Sequence, residues 1–140
     1  MKLLAETILE FEQGIKESNR PEDRKLATDY LSALAPLLAE AVVAKDIFYD
    51  LASIERLFGN TWLIDQQPFE KAFEKWRAFR DQYETMSLSA MTVNERLVAL
   101  NLMEEFDKAI ELKNEKKIRE ILERAKVDNG SIESIVLKFK

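Results

Sequence analysis

The apolar residues of this chain recur mainly at helical spacing. Near the start they occupy positions i, i+4, i+7 and i+11, as Leu4, Ile8, Phe11 and Ile15. This spacing places them on one face of a helix, so it predicts an amphipathic helix over residues 2 to about 17. Pro21, which suits the first position of a helix, then marks the start of a second helix.

The longest apolar run, LAPLLAEAVVA at residues 34–44, lies in this second helix. It predicts the most deeply buried segment of the chain, because nearly every side chain in it is apolar. Pro36 removes one helical hydrogen bond, and we expect a kink or a break there. Helical spacing resumes over residues 47–58, and Gly59 follows at a position where helices commonly end in the left-handed conformation.

Residues 57–83 carry the densest group of aromatic side chains in the chain. In a helix after Pro68, the positions i, i+4, i+7, i+11 and i+14 are Phe69, Phe73, Trp76, Arg80 and Tyr83. Each buried ring removes about 150–250 Å² from water, so the rings on this face predict the largest contribution to the core. A ligand pocket or a peptide groove is the alternative use of such a cluster.

Polar residues mark the helix boundaries in the C-terminal part. Residues 84–91 are rich in Ser and Thr and lack helical spacing, which predicts a linker. Thr92 and Glu95 then match a capping box, so we expect the next helix to begin directly after Thr92 and to end near residue 113. Two further capping residues precede the last two predicted helices, Asn114 and Asp128.

The composition agrees with a helical protein. Of 140 residues only three are glycine and three are proline, far below the usual frequencies of about 7% and 5%. We therefore predict an all-α fold, a single-domain helical bundle of five to seven helices with an aromatic-rich central helix. Residues 1–84 form its N-terminal bundle, and residues 92–140 form a three-helix module packed on it.

The chain contains neither cysteine nor histidine. This excludes thiolate nucleophiles, imidazole bases and the usual ligands of zinc and haem. Two carboxylates from distant positions could still form a glycosidase pair. Acidic pairs beside apolar stripes, such as Glu10 with Glu12 and Glu104 with Glu105, are however typical of a solvated helix face. We therefore predict a protein that is not an enzyme and that uses no cofactor and no metal.

The net charge of −5 is concentrated in the N-terminal half. Residues 1–60 contain 7 basic and 11 acidic side chains, whereas residues 92–140 contain 10 of each. This acidity disfavours direct binding of nucleic acid, whose phosphates require Lys and Arg, and favours a basic protein partner. The N-terminus has the pattern of neither a signal peptide nor a membrane span, so we expect no membrane contact and a cytoplasmic location. A periplasmic protein without disulfides fits the lack of cysteine equally well.

Five residues are candidates for contact with that partner: Asp46, Tyr49, Asp50, Trp62 and Asp65. Asp46 and Asp50 lie four positions apart on a predicted helix with Tyr49 between them, which indicates an acidic patch with an aromatic rim. Trp62 lies in the loop before the aromatic helix, and Trp is frequent among interface hot spots. Asp65 is also the predicted N-cap of that helix. The alternative is an ordinary solvated helix exterior without a partner.

Residues 91–127 contain the capping box, then EEFDKAI, a lysine-rich turn and IREIL. In this they resemble a short helical module of small bacterial proteins of the toxin-immunity type, which are encoded beside secreted toxins. The resemblance implies a non-enzymatic protein that binds and neutralises a toxin domain, such as a nuclease. The alternative is a structural or adaptor module that forms a homodimer or docks in a larger assembly.

Overall fold

Helices alone build the described part of the chain. The structure, a computed structural model, describes residues 1–60 and 63–139. Within these residues lie eight α-helices, one short 3-10 turn and no strand: α1 (Lys2–Glu17), α2 (Pro21–Val42), α3 (Phe48–Asn60), the 3-10 turn (Gln67–Phe69), α4 (Glu70–Ser89), α5 (Val93–Ala99), α6 (Met103–Glu111), α7 (Glu115–Arg124) and α8 (Asn129–Lys138). The predicted all-α class is confirmed, whereas the predicted number of five to seven helices is too low.

The chain forms two compact units, Met1–Glu84 and Thr85–Lys140, and the boundary between them lies within α4. The linker predicted over residues 84–91 is largely wrong, because α4 continues to Ser89. Serine is accommodated in that last turn since its hydroxyl bonds to the helix itself: Ser89 Oγ donates to the carbonyl oxygen of Met86 (2.7 Å).

The first unit contains α1, α2, α3, the 3-10 turn and most of α4, packed around aromatic rings. Phe11 of α1 lies 5.3 Å from Phe73 and 5.8 Å from Tyr30, measured between ring centroids. Phe58 of α3 lies 4.9 Å from Tyr30 and 5.5 Å from Trp76. These four contacts are edge-to-face, a favourable arrangement of ring quadrupoles. The aromatic side chains of α4 therefore pack into the core, as predicted.

α1 and the 3-10 turn approach each other closely at Gly14. A Cβ atom on this residue would lie 2.5 Å from Phe69 Cδ1 and 2.6 Å from the carbonyl oxygen of Pro68. Both distances are well inside van der Waals contact, so the position requires glycine. The close approach lets Phe69 become fully buried beside α1.

α2 runs without interruption from Pro21 to Val42 and contains Pro36. The break that we gave as one alternative at Pro36 is therefore absent. The helix tolerates the proline because Pro36 and Ser32, whose carbonyl group loses its helical donor, are both exposed to water. No helix in the described residues is both long enough and apolar enough to cross a membrane.

The second unit contains the end of α4 and helices α5 to α8, packed around aliphatic side chains. Its main buried cluster consists of Leu97, Leu102, Ala109, Ile118, Ile121, Leu122, Ala125, Val127, Ile132 and Val136. Ion pairs connect the helices outside this core. Glu105 of α6 accepts hydrogen bonds from Lys117 and Arg124 of α7. These bonds hold the pKa of Glu105 below its ordinary value, and the bond from Lys117 has the larger effect.

Three of the four helix starts in the second unit, those of α5, α7 and α8, lie where the sequence predicts them. Thr92 Oγ1 accepts a hydrogen bond from the N–H of Glu95 (3.3 Å), and the Glu95 carboxylate accepts one from the N–H of Thr92 (2.7 Å). Asn114 and Asp128 cap α7 and α8 through their side-chain oxygens. Each cap uses a donor three residues along the chain, so the local sequence is sufficient to specify it.

The single helix predicted from Thr92 to residue 113 is instead two helices, α5 and α6. Asn101 adopts a left-handed conformation between them, with a φ of 57°. The N–H of Leu102 then donates to the carbonyl oxygen of Leu97 (2.7 Å), which closes the end of α5. Leu97 and Leu102 are both buried, so the apolar spacing that predicted one helix is satisfied by two.

Gly59 does not end a helix in the left-handed conformation as predicted. It lies within α3, and no glycine of the chain has a positive φ. Non-glycine residues take that role after four other helices, with φ between 49° and 58°: Ala44, Asn101, Lys113 and Lys126.

Candidate functional site

The turn between α2 and α3 exposes apolar side chains. Val42 is 61% exposed and Val43 is 74% exposed, although they lie in the run predicted to be the most buried. That prediction is wrong: within residues 34–44 only Leu34 and Leu37 are buried, and the alanines and the proline between them and Val42 are exposed or half-buried. The N–H of Lys45 donates to the carbonyl oxygen of Glu40 (3.0 Å) and fixes this turn. We call residues 42–50 the α2–α3 junction.

Tyr49 is a further exposed side chain of the α2–α3 junction. It is 65% exposed, but its ring contacts the ring of Phe48 edge-on, at 5.3 Å between centroids. Phe48 and its neighbour Ile47 are buried, so the exposed tyrosine is supported by the core. A tyrosine offers a large contact area at a low cost in conformational entropy, because only two side-chain torsions become fixed on binding.

Asp46 has a structural role in the junction. Its Oδ1 accepts hydrogen bonds from the N–H of Phe48 (3.0 Å) and from the hydroxyl group of Tyr83 (3.1 Å). The same hydroxyl accepts a hydrogen bond from the N–H of Ile47 (3.0 Å), which ties the start of α3 to α4. Asp46 therefore precedes α3 and does not share a helix with Asp50, contrary to our prediction.

The junction has an excess of negative charge. The Lys45 ammonium group donates to Glu40 Oε1 (3.0 Å), and this hydrogen bond raises the pKa of Lys45, with a smaller contribution from nearby Asp50. Lys45 is thus neutralised by Glu40. The Asp50 carboxylate is exposed and has no ion-pair partner in the described part of the chain. It is consequently the junction carboxylate best placed to meet an external cation.

Asp65 lies far from these residues. The N–H groups of Ile64 and Asp65 donate to the two carboxylate oxygens of Asp23 (3.0 and 3.1 Å), and Asp23 belongs to the first turn of α2. The junction lies at the other end of α2. A helix of 22 residues is about 33 Å long at about 1.5 Å per residue, so Asp65 and the junction cannot form one patch.

The five candidates therefore divide. Asp46, Tyr49 and Asp50 come together in the junction, whereas Asp65 lies near the opposite end of α2. Asp65 Oδ1 accepts a hydrogen bond from the N–H of Gln67 (3.1 Å), the first residue of the 3-10 turn, whose N-cap is Gln66. Asp65 is therefore not the N-cap of the aromatic helix, contrary to our prediction. Trp62 lies outside the described residues.

A groove of about 640 Å³ opens between α3 and α4. Its lining includes Phe58 and Trp76 together with charged groups that bond to each other. Glu55 Oε1 accepts hydrogen bonds from Trp76 Nε1 (2.5 Å) and from Arg80 Nη1 (2.6 Å). Arg80, which falls on the aromatic face of the predicted helix by its spacing, is thus held by an ion pair. Since these inner charges satisfy each other, the groove is a weaker candidate for binding than the junction.

Residues 1–60 and 63–139 contain no group of three or more carboxylates placed to hold a metal ion. Comparison of the chain with family models, with curated proteins and with solved structures gave no match. The resemblance of residues 91–127 to toxin-immunity proteins stays a prediction.

Val42 and Val43 are the junction residues that sequence reasoning missed. Their apolar character indicated burial, but Val42 lies on the exposed face of α2, away from the buried Leu34 and Leu37, and Val43 follows the helix end. The available signal was weak: the apolar run of residues 34–44 is followed by Lys45 and Asp46, so its end had to approach the surface.

Proposed function

We propose that this chain is a non-enzymatic protein-binding module of the toxin-immunity type, which covers a basic protein domain with its α2–α3 junction. One observation carries the proposal: Val42, Val43 and Tyr49 are exposed within one stretch of nine residues, which ends with a carboxylate, Asp50, that has no ion-pair partner in the described residues. Apolar groups with an aromatic anchor and a charged border are typical of protein interfaces.

The two components of this surface act on different properties of a complex. Burial of an exposed Val side chain contributes about 1.5 kcal/mol or more, and the aromatic ring of Tyr49 adds a rigid anchor, so the apolar part would supply affinity. Asp50 would act mainly on the rate of association, because charge complementarity accelerates the encounter with a cationic partner. A nuclease domain is a suitable partner, since its substrate site must carry positive charge.

The encounter is placed in the cytoplasm, where a cell that makes a toxin would need protection from it. The module itself makes no contact with nucleic acid in this proposal. It blocks the basic domain by occupying the surface that would otherwise meet phosphate groups, so it requires neither a cofactor nor a reaction.

The test uses the purified product of the gene adjacent to the one that encodes this chain. We expect it to bind the full chain, and we expect co-expression to restore the growth of cells that produce it. Asp50→Lys should slow association by about tenfold, most strongly at low salt. Asp29→Lys makes the same change of charge at another exposed position, on α2, and should slow association much less.

Asp46 is unsuitable for this comparison because it also holds the start of α3 through the N–H of Phe48. A neighbouring product that neither binds the chain nor harms cells would overturn the proposal. Equal effects of Asp50→Lys and Asp29→Lys would show that binding occurs elsewhere on the chain.

A further inference from the structure

A tyrosine of α4, Tyr83, bonds to the α2–α3 junction from outside it. Its hydroxyl group accepts a hydrogen bond from the N–H of Ile47 (3.0 Å) and donates one to Asp46 Oδ1 (3.1 Å). These partners lie 36 and 37 residues away in the sequence. Tyr83 is half-buried, and its ring lies 5.8 Å from that of Phe79, measured between centroids. The ring thus packs on the core, whereas the hydroxyl group serves the junction.

The segment that Tyr83 holds lies between two helices. Lys45, Asp46 and Ile47 belong to neither α2 nor α3, so their backbone groups need hydrogen-bond partners outside a helix. Ile47 is fully buried, and its N–H therefore cannot bond to water and requires an acceptor from the protein. The Tyr83 hydroxyl group supplies that acceptor.

The position of Ile47 in turn sets the first turn of α3. Its carbonyl oxygen accepts hydrogen bonds from the N–H groups of Asp50 (3.0 Å) and Leu51 (3.3 Å). Tyr49 lies within the turn that these bonds close. A continuous series of hydrogen bonds therefore leads from the Tyr83 hydroxyl group, through Ile47, to the two exposed residues of α3 that we assign to the partner surface.

We propose that Tyr83 is a positioning residue for the partner surface: its hydroxyl group holds Tyr49 and Asp50 in the conformation that a partner binds. This inference deepens the proposed function and rests on it for the existence of the partner. A surface that is ordered before binding loses less conformational entropy when the complex forms. Tyr83 therefore contributes to affinity through the junction, by limiting the conformations that the junction adopts.

Tyr83→Phe tests the hydroxyl group separately from the ring. Phenylalanine keeps the contact with Phe79 and the packing against the core, and it removes the two hydrogen bonds to the junction. The buried N–H of Ile47 then lacks its acceptor, which favours local opening of this segment to water. We expect the amides of Ile47, Asp50 and Leu51 to exchange about tenfold faster in the free chain, as measured by NMR.

The same variant should bind the neighbouring gene product more weakly. When only a fraction of the molecules has the binding-competent junction, the apparent dissociation constant rises by the inverse of that fraction. We expect an increase of about threefold to tenfold. Tyr83→Phe changes no charge, so this loss of affinity should persist at about 1 M salt, where the effect of Asp50→Lys on association should be screened.

Ser89→Ala is the matched control, because it removes a hydroxyl group from the same helix. That hydroxyl group donates to α4 itself, at the carbonyl oxygen of Met86 (2.7 Å). The control should change neither the exchange of amides within residues 45–51 nor the affinity for the neighbouring product. Far-UV circular dichroism confirms that both variants are folded, which is expected because Tyr83→Phe keeps the ring and Ser89 is exposed.

Unchanged exchange of the Ile47 amide in Tyr83→Phe would overturn the inference. So would an equal acceleration throughout residues 1–84, because the hydroxyl group would then support the whole unit and not the junction. If the neighbouring product binds Tyr83→Phe and the unchanged chain equally well, the positioning role is wrong while the proposed function stands. If it binds neither, the proposed function fails, and amide exchange in the free chain alone decides whether Tyr83 positions the junction.

Discussion

Asp23 is a fully buried carboxylate that fixes a distant loop. Its two oxygens accept hydrogen bonds from the N–H groups of Ile64 and Asp65, and Arg20 Nε lies 3.6 Å from Oδ2. A buried charge is tolerated only when it is paired and hydrogen-bonded. From the sequence, Asp23 was no more than an acid near a helix start; its partners are 41 and 42 residues away, beyond any local pattern.

Replacement of Asp23 by Ala should therefore destabilise the protein. The change leaves two amide groups without their acceptor, at a cost of about 1–3 kcal/mol in the free energy of unfolding. Urea denaturation measures this loss, and amide exchange at residues 64 and 65 should accelerate. Asp29→Ala removes an exposed carboxylate from the same helix and should change stability little. Equal effects of the two substitutions would show that the contacts of Asp23 are not stabilising.

The ends of four helices share one backbone arrangement. After α2, the N–H of Lys45 donates to the carbonyl oxygen of Glu40, and the N–H of Ala44 donates to that of Ala41. α5, α6 and α7 end with the same pair of hydrogen bonds, which define the Schellman motif. The motif requires a left-handed residue, and this chain uses Ala, Asn and Lys there at a conformational cost of about 1 kcal/mol or more.

Helix starts with a side-chain cap were predictable from the sequence, whereas these ends were not. A cap such as Thr92 can be recognised from its residue type, because its side chain supplies the hydrogen-bond acceptor. Asn101 is the one left-handed position among the four where the residue type gives a hint, since Asn tolerates this conformation better than most residues. At Ala44 and Lys113 the residue type gives no such hint, because neither Ala nor Lys favours the left-handed conformation.

Glycine at position 44 should stabilise the protein. Ala44→Gly removes the steric cost of a φ of 58°, and we expect a gain of about 0.5–1 kcal/mol in the free energy of unfolding after the greater entropy of the unfolded chain is subtracted. Ala39→Gly is the matched control, because Ala39 is an exposed residue within α2 and should lose about 1 kcal/mol. Thermal or urea unfolding compares them. A loss of stability in both variants would contradict the role assigned to Ala44.

At the scale of the whole molecule, the fold class follows from the periodicity and the candidate binding surface does not. The apolar positions of residues 2–17 and 34–58 specify helices wherever they pack. Whether an apolar residue faces the core depends on its position around the helix and on where that helix ends. Val42 lies on the exposed face of α2 and Val43 follows the helix end, whereas Leu37 faces the core.

The predicted site shows the same limit. Asp46, Tyr49 and Asp50 lie together because a single turn connects them, whereas Asp65 is carried to the opposite end of α2 by its contact with Asp23. Candidates close in sequence stay close in the fold, whereas Asp65, separated from them by α3, does not. The proposed partner surface therefore lies within residues 42–50 and does not include Asp65.

Hydrogen exchange of the full chain, alone and in complex with the neighbouring gene product, tests the central claim most directly. The account predicts that amides within residues 42–50 become protected in the complex and that the groove residues of α4 change little. Protection confined to other segments, with the junction exchanging as fast as in the free protein, would contradict it.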